Sequence, residues 1–188
     1  MTTIIGLSGS LRKGSYNTAL LVAAKALAPA GVTLDVRTLH GIPLYDGDVE
    51  ASEGIPAAVT TLKDAIAQAD GLLLATPEYN NGMPGVFKNA LDWLSRPPAD
   101  SARVFHDKPV AIMGASPGGF GTILSQNAWL PVLRTLQTTP WWQGRLMVSH
   151  ANKVIDADGN LQDDAVRGQL ADFIAGFATF VNAHTREG

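Results

Sequence analysis

From Thr3 to Val181, short apolar runs that suit strands take turns with longer stretches whose apolar residues recur every three or four positions. Few folds accommodate that alternation. Thr3 to Leu7 reads as a buried first strand, and a helix follows from about Asn17 to Ala28 with Leu20, Ala24 and Leu27 on one face. Thr33 to Leu39 is the second strand, and Gly41 to Gly54 is too polar and irregular for core structure. Pro56 starts a helix with Val59, Leu62 and Ile66 inward, as suits proline in a first turn. Gly71 to Thr76 is a continuous apolar run, the mark of a central parallel strand.

Pro84 opens a third helix with Phe87, Ala90, Leu91 and Leu94 along one stripe, and Pro97-Pro98 ends it. Val110 to Ala115 is the fourth strand. In the fourth helix Pro131 interrupts an apolar pattern, so that helix either kinks or restarts there. Arg145 to Ser149 is the fifth strand, and a last helix begins near Asp163-Asp164. Five strands alternating with five helices, with no repeat and no linker, make one α/β domain over residues 1–188 with a doubly wound parallel sheet and helices on both faces. Ligands of such sheets sit beyond the carboxyl ends of the strands, where the winding reverses.

Composition narrows the chemistry. The chain has no cysteine, which removes disulfides, thiolate nucleophiles, thiolate metal sites and iron–sulfur clusters together. The formal net charge of −3 offers no basic surface for nucleic acid and no polybasic segment for a membrane. The start of the chain lacks the cationic, then apolar, pattern of a signal peptide, so a cytoplasmic location is expected. His40, His106, His150 and His184 are scattered, and no compact His/carboxylate cluster suggests a metal.

Three loops carry the rest. Ser8-Gly9-Ser10-Leu11-Arg12-Lys13-Gly14-Ser15-Tyr16-Asn17 follows the first strand. It lacks the G-x-G-x-x-G spacing that lets a pyrophosphate approach the backbone. Instead Ser10, Arg12, Ser15 and Asn17 surround the glycines just before a helix start. A terminal phosphate, with roughly two negative charges and three acceptor oxygens, needs such a donor set. A plainly capped helix would explain Ser15 or Asn17 alone. Thr76-Pro77-Glu78-Tyr79-Asn80-Asn81-Gly82-Met83-Pro84-Gly85 follows the third strand as a rigid loop, able to set backbone groups against a planar ring, with Tyr79 as an aromatic surface. Ala115-Ser116-Pro117-Gly118-Gly119-Phe120-Gly121 follows the fourth strand, and its glycines leave N–H groups open to approach.

Taken together, Gly9 to Asn17, Pro77 to Asn80, Gly85-Val86-Phe87-Lys88-Asn89-Ala90-Leu91-Asp92-Trp93 and Ser116 to Gly119 resemble the NADPH-dependent FMN reductase family, with its chromate reductase, quinone reductase and azoreductase relatives. The resemblance implies a flavodoxin-like fold, FMN as cofactor and NAD(P)H as electron donor. It implies that Ser10, Arg12, Ser15, Tyr16 and Asn17 hold the FMN phosphate, and that Pro77, Glu78, Tyr79 and Asn80 lie along the ring. Ser116, Gly118 and Gly119 close the ring pocket. Glu78 is as well suited to fixing the loop or a subunit contact as to touching flavin. No acid–base side chain is required, so none is assigned as catalytic.

The implied partners are a small-molecule electron acceptor (quinone, free flavin, azo compound or metal oxyanion) and further copies of the chain in a homodimer or homotetramer. Trp93 and the third helix are candidates for the subunit contact, beside the alternative of a core tryptophan. At Pro140-Trp141-Trp142 the chain departs from the family pattern of smaller or acidic residues, which marks a second candidate contact or a change in acceptor access. Two other readings stand beside this one. One is a flavodoxin-type electron carrier, although such carriers are markedly acidic. The other is a hydrolase using Ser8 or Ser10, although Gly6-Leu7-Ser8-Gly9-Ser10 misses the G-x-S-x-G elbow.

Overall fold

Alternate residues of the central strands serve two different cores, and that division decides where the helices lie. A computed structural model describes residues 1–187, with side chains through His184; Gly188, the end of the expected domain, lies outside the described residues. In β1 (Thr2–Ser8) Ile4 packs on one face of the sheet while Ile5 and Leu7 pack on the other. β3 (Gly71–Ala75) divides likewise, with Leu73 opposite Leu72 and Leu74. The first face is covered by α1 (Tyr16–Leu27) and the C-terminal helix, through Leu20, Leu21, Leu170, Phe173 and Phe177. The second is covered by α3 (Ala57–Gln68) and by helices that follow β3, through Ile66, Phe87, Leu91, Trp93 and Trp129. Each fully buried side chain of this kind contributes roughly 1.5–3 kcal/mol.

β2 (Val32–Arg37) and β4 (Pro109–Ala115) flank this pair, and the sheet runs β2-β1-β3-β4-β5, all parallel. This is the flavodoxin-like order, and the winding reverses between β1 and β3. The fifth position is not one strand. β5 (Thr139–Pro140) pairs with the start of β4, and β6 (Leu146–Val148) pairs with its end. Four residue steps along β4, from Pro109 to Met113, face seven along this edge, from Thr139 to Leu146. The excess leaves the sheet as the segment 141–145. Its Trp141 lies edge-on to Phe173 at 5.3 Å, and a Cβ on Gly144 or Gly176 would collide with the indole. Trp141 is therefore half-buried against the C-terminal helix, while Trp142 is turned outward, 61% exposed.

Four sequence expectations change. Within the stretch read as irregular lies α2 (Gly47–Glu53), capped by the Asp46 carboxylate and ended by Gly54 at φ +81°. No residue of α2 is buried, so it carries no apolar stripe to read. Pro97-Pro98 ends α4 (Gly85–Leu94) as expected, but Pro98 also opens α5 (Pro98–Phe105), which buries Val104 and Phe105. Trp93 is fully buried, with its indole N–H on the Pro43 carbonyl at 3.0 Å, so it belongs to the core and not to a subunit contact. In α6 (Ile123–Thr135) the helix runs unbroken through Pro131. Trp129 and Leu133 are buried on either side of it, and their packing offsets the roughly 3 kcal/mol that an interior proline costs. A short α7 (Ala151–Val154) and the long α8 (Asp164–Glu187) complete the chain. No helix among the described residues is long and apolar enough to cross a membrane.

Candidate functional site

The loops after β1, β3 and β4 leave the sheet at its carboxyl end and meet around one cleft. Ser10, Arg12, Ser15, Tyr16, Asn17, Pro77, Glu78, Tyr79 and Ser116 line it, joined by Ala115 and Pro117. Of the residues expected there, Asn80, Gly118 and Gly119 are not on the lining.

The first loop leaves β1 through Gly9, whose N–H bonds the Ala75 carbonyl at 2.9 Å. A side chain at Gly9 would drive into Phe87 and Pro77, so glycine is what lets this loop pass the next one. Ser15 caps α1, its hydroxyl accepting the Thr18 N–H at 3.2 Å. Ser10 accepts the Arg12 N–H at 3.3 Å and the Tyr79 hydroxyl at 3.4 Å. The Arg12 guanidinium lies over the Tyr16 ring, 4.9 Å from its centre, and among the described residues no carboxylate pairs with it. The N–H groups of Lys13, Gly14 and Ser15 have no acceptor among the described residues. The positive end of α1 lies behind them.

Asn17 behaves differently from expectation. Its amide is engaged on both sides by one residue: Nδ2 donates to the Ala115 carbonyl and Oδ1 accepts the Ala115 N–H, each at 2.9 Å. It lines the cleft but serves as a strap between α1 and the end of β4.

The second loop turns tightly. Asn80 and Asn81 sit at φ +49° and +62°, and Tyr79 and Gly82 exchange N–H···O bonds of 3.1 and 3.0 Å. Two consecutive left-handed residues closing a two-residue hairpin make a type I′ turn, which asparagine tolerates. Asn80 takes a left-handed position of this turn and is not among the cleft-lining residues. Glu78 aims its carboxylate at the start of α6, accepting the N–H groups of Leu124 at 2.8 Å and Ser125 at 3.1 Å. Of its three expected uses, fixing the loop is the one its carboxylate performs.

The third loop is laced to the segment after β6. The Ser116 N–H bonds the Val148 carbonyl, its hydroxyl donates to the Gly121 carbonyl, and the His150 N–H bonds the Gly118 carbonyl. A Cβ at Gly118 or Gly119 would meet only ordinary contacts at 3.7–3.8 Å, so nothing inside the chain requires glycine there. Their N–H groups, like that of Glu78, have no acceptor among the described residues. Phe120, at 85% exposure, and Tyr79, at 50%, present aromatic faces from this end of the molecule.

The donor set therefore suits a molecule with a dianionic end and a flat, acceptor-rich end. FMN suits it: unpartnered N–H groups, hydroxyls and a guanidinium would meet the phosphate, and unpartnered N–H groups on two glycine-bearing or turn-held loops would meet the ring. The hydrolase reading does not survive this geometry. Ser8 is buried against the Thr18 hydroxyl at 2.7 Å, and Ser10 accepts from the Arg12 N–H and the Tyr79 hydroxyl. His40 is bonded to Thr38 and to the Leu11 carbonyl, and among the described residues no histidine bonds either serine. Sequence reasoning missed Thr76, Ser125 and Trp129, which form a buried hydrogen-bonded group behind the second loop. Their partners lie far apart in the chain, and only the Thr76-Pro77 junction signals the place.

Comparison with known proteins agrees with the loops. A family model described as NADPH-dependent FMN reductase matches residues 2–153. The chain is 47% identical over 164 residues to an NAD(P)H-dependent FMN reductase of Pseudomonas aeruginosa, covering 87% of this chain and 86% of that one. It is 40% identical over 173 residues to a 2-hydroxy-1,4-benzoquinone reductase of a Burkholderia species, covering 92% of each. Among solved structures, FerB, a flavoenzyme NAD(P)H:(acceptor) oxidoreductase from Paracoccus denitrificans, superposes with a TM-score of 0.85 at 32% identity, over 98% of this chain and 99% of that one.

Proposed function

The chain belongs to the NADPH-dependent FMN reductase family, and on that premise we propose that its cleft holds FMN and serves quinone-like acceptors. The protein is an FMN-dependent NAD(P)H oxidoreductase. When bound, FMN supplies the two-electron redox chemistry between NAD(P)H and a small acceptor.

The chain's own work is binding and orientation. Ser10, Ser15, Arg12 and the N–H groups of Lys13 to Ser15 hold the phosphate, with Tyr16 supporting the guanidinium from below. Asn17 keeps this loop in place against Ala115. Pro77, Tyr79 and the Glu78 N–H border the ring, and Ser116 borders it from the third loop, with the open N–H groups of Gly118 and Gly119 following the lining residue Pro117. The single observation that carries this reading is a cleft whose unpartnered donors gather at both ends, charged at one and backbone at the other. The exposed aromatic faces of Tyr79 and Phe120 favour flat acceptors, in keeping with the benzoquinone reductase among the relatives.

Residues 1–188 act as one domain in the cytoplasm, where reduced nicotinamide is supplied. Homo-oligomers are expected from the outward Trp142 beside the exposed Leu130 and Pro131 of α6. Sedimentation at micromolar concentration checks this, and a fully active monomer would overturn it. For the reaction, a visible spectrum of the purified protein and mixing with NADPH alone should show bound flavin and its bleaching. Double-reciprocal plots at several quinone concentrations should be parallel, because donor and acceptor share one open face. A protein that takes up no FMN, or that bleaches only once acceptor is added, defeats the proposal.

A further inference from the structure

Thr76 follows β3 directly and its side chain is fully buried, yet it governs the loop that borders the cleft. Three groups surround its hydroxyl. The Trp129 indole Nε1 can only donate, and it lies 3.0 Å away. The Pro77 carbonyl can only accept, also at 3.0 Å. The Thr76 hydroxyl therefore accepts from Trp129 and donates to Pro77, which leaves Ser125, at 2.8 Å, to donate into its remaining lone pair. The hydroxyl is saturated, and all its directions are fixed.

That fixes a peptide plane. The peptide between Pro77 and Glu78 is trans, so its C=O and N–H point in opposite directions. With the Pro77 carbonyl drawn inward to Thr76, the Glu78 N–H is turned outward, on the side where Pro77 and Glu78 line the cleft. No acceptor among the described residues meets it. The Glu78 carboxylate, bonded to the Leu124 and Ser125 N–H groups, ties the same residue to α6 a second time. Trp129 is held in turn by Phe87, edge to face at 4.9 Å.

We propose that Thr76, backed by Trp129 and Ser125, is a positioning residue that aims the Glu78 N–H into the cleft as a hydrogen-bond donor to the acceptor edge of the flavin ring. This rests on the cleft holding FMN. Thr76→Val removes the hydroxyl at nearly constant shape and frees the peptide to turn. It should weaken FMN and riboflavin by the same factor, roughly 2- to 12-fold, as for one neutral hydrogen bond. The midpoint potential of the bound flavin should become more negative, because reduction adds electron density that the N–H stabilises. Thr76→Ser keeps the hydroxyl and should restore both. Trp129→Phe removes a donor to Thr76 but not the Thr76–Pro77 bond; it should lower thermal stability while leaving the potential near wild type.

An independent measurement needs no variant. In the apoprotein the Glu78 amide should exchange freely with solvent, and saturation with FMN should protect it. Unchanged Glu78 exchange on saturation, or wild-type affinity and potential in Thr76→Val, overturns the role given to Thr76. A Thr76→Val loss confined to FMN and absent for riboflavin also overturns it, since the effect would then lie at the phosphate. Wild-type protein that binds neither flavin would instead overturn the FMN reading.

Discussion

The two ends of the cleft are built on opposite plans. At the end proposed for the phosphate the donors are side chains and loop N–H groups with few protein partners: Arg12 rests on Tyr16, and Lys13 to Ser15 hold open donors. At the end proposed for the ring, Glu78 is engaged with α6 and Thr76 with Pro77, and the open hydrogen-bond donors are backbone N–H groups. A charged group can be met by flexible, charged side chains, since Coulomb attraction tolerates small errors of position. A neutral ring edge needs donors held at a fixed angle, and peptide planes anchored from behind provide it.

The contrast can be tested in order of expected effect. Asn17 joins the two plans, and Asn17→Ala leaves the buried N–H and carbonyl of Ala115 without partners. A loss of about 2–4 kcal/mol in unfolding free energy is expected from urea denaturation of the apoprotein. Unchanged stability would return Asn17 to the phosphate-binding set alone. Arg12→Ala should weaken FMN by roughly 10- to 150-fold, the equivalent of about 1.5–3 kcal/mol for a charge-assisted bond. Riboflavin, which lacks the phosphate, should bind as before. Equal losses for both ligands in a fluorescence titration would erase the distinction between the ends.

Glu78→Ala removes the cap of α6 and should cost about 1 kcal/mol of stability, with Glu78→Gln recovering part of it. Equal stability of Ala and wild type in thermal melts would mean the clamp is idle. The smallest effect concerns pH and lies away from the cleft. Asp100 accepts hydrogen bonds from Arg103 and from the buried Lys63, and these hold its carboxyl well below the ordinary range. A lowered native value means that this contribution is present above pH about 4 and fades as pH falls below it. Asp100→Asn should flatten the decline in urea midpoint between pH 5 and pH 3. FMN affinity should instead weaken near pH 6, where the phosphate takes up a proton, with riboflavin unaffected. Coincidence of the two profiles would tie the cleft to the Asp100 cluster.

What the chain order discloses and what it hides follow from distance along the sequence. Ser10, Arg12 and Ser15 stand within one loop, so their shared purpose is legible as a local pattern, and the alternation of strands and helices forces the sheet that brings three loops together. The split of the edge strand around Trp141 is not local, because the slot that receives the indole is completed by Gly176 on α8. Trp93 reads equally well as core or as contact until Pro43 and Tyr45 are seen against it. Glu78 reads as loop anchor, subunit contact or ring contact until α6 presents its N–H groups, and the bonds of Thr76 do not read at all, because Ser125 and Trp129 lie about fifty residues away. The sequence by itself determined the layered sheet, the place of the cleft and the donor-rich loop beside it, since these depend on periodicity and on donors clustered in one loop. Only the tertiary structure decided which of those side chains face the cleft and which brace it, because a hydrogen bond has one direction and its partner is chosen by folding.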